Sequence, residues 1–140
     1  MENSKKRLKT SSLIVLLFAV ISMVSFGAET FLGASADGNA DEFKITQIFV
    51  FVLATIMHIP EFYVGYKGLM VANSRPSSNL YIYVANIIFI LTVVSVVSPI
   101  IGFFNGDDAV DCIQQLFELA LRASIYFDFI KCTRAVSGGK

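Results

Sequence analysis

The residues of this chain that could do chemistry lie inside its apolar stretches. His58 and Glu61 share one stretch, and Glu118 and Arg122 share another. Spacings of three and four residues put each pair on a single helix face. In a bilayer, a charged side chain near mid-helix costs about 2.5–3.5 kcal/mol, so each needs a partner, a wet cavity or the interface. Glu118 precedes Arg122 by one turn, the better order for an intrahelical ion pair, and the spacing predicts that the two neutralise each other. His58 and Glu61 are titratable, and burial can bring such groups toward neutral pH, which would suit a proton relay or a polar ligand site. The same pair would serve equally as polar glue between helices. Pro60 lies beside them and removes a backbone donor, so a bend is expected there. Counted from the outer ends of their stretches, His58 lies about 20 Å deep, Glu61 about 24 Å and Arg122 about 16 Å. That places His58 opposite the Glu118–Arg122 pair and Glu61 lower, near Tyr126. Asp128 and Glu29 fall close enough to stretch ends to be read as interfacial.

Around these residues run stripes of small and polar side chains. Gln47, Phe51, Ala54, His58, Glu61, Gly65 and Gly68 form a heptad-spaced line that reads as a packing seam. Asp111, Gln115, Glu118, Arg122 and Ile125 form a second, and Ser95, Ser98 and Gly102 continue a third. Gly65, Gly68, Ser95, Ser98 and Gly102 are the candidate helix-packing positions. No Gly-rich phosphate loop, no catalytic serine or cysteine motif and no metal or haem spacing occurs, so no cofactor or metal is expected. Cys112 and Cys132 are twenty residues apart, about 30 Å along a helix, beyond disulfide reach.

The elements that must position these residues are four hydrophobic stretches: 13–32, 45–66, 80–104 and 112–130. Each approaches the ~20 residues that a helix needs to cross the hydrocarbon core. The chain has 140 residues, is 55% hydrophobic and only 16% charged, and has 13 Phe but no Trp. Too little sequence remains outside the stretches for a separate soluble domain. The expected fold is therefore an all-α membrane protein, a single domain over 1–140, with four transmembrane helices in an up-down-up-down antiparallel bundle. Nine of its eleven Lys and Arg residues fall on one side of that topology: Lys5, Lys6, Arg7 and Lys9, then Lys67 and Arg75, then Lys131, Arg134 and Lys140. Asp37, Asp41, Glu42, Asp107 and Asp108 mark the other side. The positive-inside rule then puts both termini in the cytoplasm. All five tyrosines lie toward that same side, as an interfacial belt would.

Residues 1–12 read as a basic juxtamembrane arm against anionic headgroups, and 133–140 as a disordered tail. Ala34-Ser35-Ala36 after the first stretch loosely imitates a signal-peptide cleavage region, so removal of helix 1 stays open. Pro76 ends the second helix's continuation, and Asp107 and Asp108 are suited to cap the fourth.

With chemistry motifs and extramembrane domains both missing, the leading functional expectation is non-enzymatic. It is a scaffold, an accessory subunit or a homo-oligomeric assembly in the membrane, with lipid and another membrane protein or further copies as partners and no nucleic acid. The alternative is a small oligomeric transporter or channel built on His58, Glu61, Glu118 and Arg122. A lipid- or quinone-directed enzyme is a third class, for which a nucleophile or metal set is lacking. In the absence of an organelle signal, the plasma membrane of a bacterium is the default location.

Overall fold

The computed structural model describes residues 2–32 and 40–138 and is all-helical over them. The elements are α1 (Glu2–Leu32), α2 (Ala40–Ala72), α3 (Leu80–Ser95), α4 (Val97–Asn105) and α5 (Ala109–Ser137). Among the described residues, three stretches are long and apolar enough to cross a membrane: Glu2–Thr30, Lys44–Ala72 and Leu80–Asn105. The last joins α3 and α4 into one rod. α5 is not among them, because Glu118, Arg122 and Asp128 interrupt its apolar run. The loop carrying Asp37 and the Ala34–Ala36 segment lies outside the described residues.

The proline chemistry explains the breaks. Pro99 has no N–H to give the Ser95 carbonyl, and the helix is interrupted one turn earlier, at Val96. Pro60 sits inside α2 without ending it. α2 stops in a Schellman turn: the Arg75 N–H donates to the Met70 carbonyl and the Ser74 N–H to Val71. Ser74 occupies the left-handed position with φ 62°, where glycine is usual, and Pro76 follows. α4 ends the same way, with Gly106 at φ 93° and the Asp107 N–H donating to the Gly102 carbonyl. Asp108 then caps α5, its carboxylate accepting from the Val110 N–H at 2.8 Å. Of the two predicted caps, Asp108 is the one that caps.

α1 packs on α2 and α5, and α3 packs on the same two helices. The core gathers the start of α1, the end of α2, the start of α3 and the end of α5. Leu8, Val15, Val64, Tyr81, Ala85, Tyr126 and Phe129 are buried there, with Tyr81 edge-on to Phe129 at 6.2 Å between ring centres. Gly65 and Gly68 make this approach possible. A Cβ on Gly68 would lie 2.4 Å from the Phe129 ring and 2.5 Å from Ser12 Oγ, and one on Gly65 would lie 2.7 Å from Leu16. The small-residue stripe of α2 is thus an internal seam toward α1 and α5.

Three expectations change at this end. The residues read as a basic arm are helical from Glu2, and Leu8, Ser11 and Ser12 are buried, because every third or fourth residue of that segment is small or apolar. The tail begins later than 133, since α5 runs to Ser137 and Thr133 is fully buried. The tyrosines do not form one belt: Tyr66 and Tyr83 are exposed, but Tyr81 and Tyr126 are core residues. Both cysteines are free.

Candidate functional site

Several hydroxyls in the apolar helices are consumed locally. Ser12, Thr55, Thr92, Ser95 and Ser124 each donate to the carbonyl four residues earlier, at 2.7–2.8 Å. A hydroxyl satisfied within its own turn can sit in an apolar surrounding without a partner helix. Ser95 therefore does not act as a packing contact, as its place in the stripe suggests. Ser95 and Ser98 are both exposed and border a cavity instead. At Gly102 a Cβ would meet only the end of the Asp107 side chain, at 2.5 Å, and no atom of a facing helix.

The ionisable residues of α2 and α5 meet where those helices face each other across the interior. Arg122 reaches from α5 to Glu61 Oε1 and forms an ion pair, while His58 Nδ1 lies 3.3 Å from Glu61 Oε2. The Glu61 side chain is 6% exposed, His58 15% and Arg122 26%. One carboxylate thus answers both a guanidinium and an imidazole. With the proton on Nδ1 donated to Glu61, Nε2 of His58 is left as an acceptor. Arg122 Nε is buried without a hydrogen-bond partner, so the pair does not saturate the guanidinium.

This corrects the expected pairing. Arg122 is neutralised by Glu61 and not by Glu118, which is exposed and only 3.4 Å from Gln114 Nε2. The reason is burial. A carboxylate at the dry position of Glu61 has no water to answer it, whereas Glu118 lies on the open side of its helix. Depth counting put Glu61 about 8 Å below Arg122, and the long Arg side chain reaches across that offset to form the pair.

Two cavities border the triad and share Arg122, Ser95 and Leu119. One, of about 410 Å³, is lined by Phe18 and Ser22 of α1, Ser98 and Pro99 of α4, and Gln115 and Glu118 of α5. The other, of about 660 Å³, runs between α2 and α3. Its lining is mostly apolar, with His58, Glu61 and Arg122 as its ionisable groups and Thr92 and Ser95 as hydroxyls already bonded within their own helix. No family model, no curated protein and no solved structure matches this chain.

A second polar constellation escaped the sequence reading. Asp128 accepts from Arg7 at 2.9 Å and from Ser11 at 2.7 Å, and Cys132 Sγ lies 3.8 Å from the same carboxylate. Burial, together with the nearby Asp128 carboxylate, pushes the Cys132 thiol up. The cluster ties the start of α1 to the end of α5. The signal was available: positive-inside topology puts Arg7 and Asp128 at the same level. Among the described residues, no group of three or more His, Cys, Asp or Glu side chains could hold a metal ion.

Proposed function

We propose that the chain is an integral membrane protein without catalytic activity of its own, working as a subunit of a larger membrane assembly formed by further copies or by another membrane protein. In this reading α1, α2, the α3–α4 rod and α5 cross the bilayer alternately, with both termini in the cytoplasm. α5 crosses as the fourth span because its inner charges are answered, Arg122 by Glu61 and Asp128 by Arg7. One observation carries the assembly reading. Gln114 is exposed among the outward-facing Ile113, Phe117 and Leu121 of α5, whereas Gln115 and Glu118 line a cavity. Polar side chains on an apolar face left to lipid are costly, and interhelical hydrogen bonding is the usual use of such residues. Cysteine substituted at Gln114 or Phe117 in native membranes should form crosslinks, either between copies or to one other protein. Crosslinks at neither position, with a monomer in mild detergent, would refute the assembly reading.

A second reading, a small oligomeric transporter or channel, draws on the two cavities that meet at Arg122. There the Glu61–Arg122 pair would act as the barrier between them. Flux in proteoliposomes that requires Glu61, measured at two pH values, would favour it over the subunit reading.

A further inference from the structure

We propose that the cavity between α2 and α3 binds an uncharged, lipid-soluble molecule through a carbonyl- or hydroxyl-bearing head, a quinone or a long-chain prenol being the class that fits. The proposal rests on the membrane reading above but not on the assembly reading.

The walls specify the tail. The mouth of the 660 Å³ cavity is rimmed by Met57 of α2 and by Ile87 and Leu91 of α3, all among the exposed apolar side chains of those helices. An opening rimmed by outward-facing apolar residues communicates with the surrounding hydrocarbon. The volume lies within the range of small-molecule sites, which are mostly apolar with a few placed polar groups.

The ionisable groups of the lining specify the head. His58 is the middle residue of the Lys44–Ala72 stretch, about 21 Å from either end at helical rise. A head arriving there from the lipid would have to bring any formal charge to mid-bilayer depth, and the site offers nothing to offset it. Arg122 is already matched by Glu61, and with a neutral imidazole the three groups carry no net charge. What the site does offer is hydrogen bonding. The guanidinium has donors beyond those that Glu61 takes, and His58 Nε2 can accept. A carbonyl oxygen would accept from Arg122, and a hydroxyl would donate to His58. Neither bond requires the ion pair to open.

The test uses the full chain in lipid nanodiscs, with a diazirine analogue of geranylgeraniol as photolabel and peptide mapping by mass spectrometry. Label should concentrate on Met57, Ile87 and Leu91, about tenfold above Leu53 and Val94, which are exposed elsewhere on the same helices. Decylubiquinone and unlabelled geranylgeraniol should both displace it, and palmitate should not; the stronger of the two neutral competitors identifies the source. Leu91→Trp fills the cavity and should abolish the excess labelling, while Val94→Trp should not. Even labelling of all exposed apolar positions, displacement by palmitate as effective as by the neutral lipids, or labelling indifferent to Leu91→Trp would each overturn the proposal. No labelling of any apolar face would refute the membrane reading itself, a different outcome from even labelling.

Discussion

Glu61→Gln is the perturbation that separates the observed ion pair from the one that spacing suggests. The substitution keeps the volume and leaves an amide that can still hydrogen bond, so what is lost is charge. Breaking a buried pair by removing one partner costs about 3–5 kcal/mol, because the other charge is left uncompensated. Glu61 is almost fully dry but the Arg122 side chain is 26% exposed, so a quarter of that penalty is recovered from whatever solvates the cavities. The expected loss is therefore about 2–4 kcal/mol. Arg122→Gln strands the drier Glu61 and should cost about 3–5 kcal/mol, and the double change should recover much of either loss, giving a coupling of about 1–3 kcal/mol in the cycle. Glu118→Gln should cost less than about 0.5 kcal/mol, since Glu118 is exposed and its contact with Gln114 is long. Reversible unfolding in mixed micelles, followed by circular dichroism, measures all four. Additive effects of Glu61→Gln and Arg122→Gln, or a Glu118 change as damaging as the Glu61 change, would refute the reasoning.

The close seam and the turns make further expectations. Gly68→Ala should destabilise by about 1–3 kcal/mol in the same assay, because its methyl would overlap the Phe129 ring and Ser12. Gly106→Ala meets nothing within 4 Å and should cost only about 1 kcal/mol through its positive φ, so equal effects at the two positions would contradict the packing account. Ser74→Gly should stabilise by about 0.5 kcal/mol: relief of the left-handed strain outweighs the exposed hydrogen bond from Lys5, 2.8 Å long, and a loss of stability would show that bond to dominate. Maleimide should modify the native protein's Cys132 slowly at pH 7 and faster at alkaline pH, since a raised thiol holds less thiolate; prompt modification at neutral pH without unfolding would deny the burial. An impermeant maleimide applied outside should reach a cysteine placed at Asn39 and miss one at Ser77, and the reverse pattern would overturn the orientation.

The helical architecture was legible because the signals are long and redundant. Runs of about 20 apolar residues, a proline after the second run and an Asn-Gly-Asp-Asp turn before the fourth leave few alternatives. The α2 seam was legible for a similar reason. Gln47, Phe51, Ala54, His58, Glu61, Gly65 and Gly68 are all buried or half-buried, while Ile48, Val52, Ile59 and Tyr66 between them are exposed. At its Gly65 and Gly68 end the stripe serves close approach to α1 and α5. The Asp111–Gln115–Glu118 stripe has the same form and fails, because there α5 stands away from α1 and the α3–α4 rod and leaves a cavity. Periodicity identifies a face but not the distance to the next helix.

Partner choice among charges was the part that spacing could not decide. Two carboxylates compete for Arg122, and the nearer in sequence loses. An intrahelical contact at four residues is worth only tenths of a kilocalorie where water can reach it. A carboxylate with 6% exposure, facing the same guanidinium across the interior, loses several kilocalories if left alone. The pairing is set by which acid is driest, and dryness follows from the packing of α1 and α3 on both sides of α2 and α5. Asp128 also pairs across helices, with Arg7 and Ser11 of α1, although that pair is open, with side chains 63% and 40% exposed; there the close packing of α5 on α1 brings the partners together. In a helical membrane protein the ionic partner of a buried charge is therefore to be sought first among residues at the same depth on facing helices, and only then along its own helix.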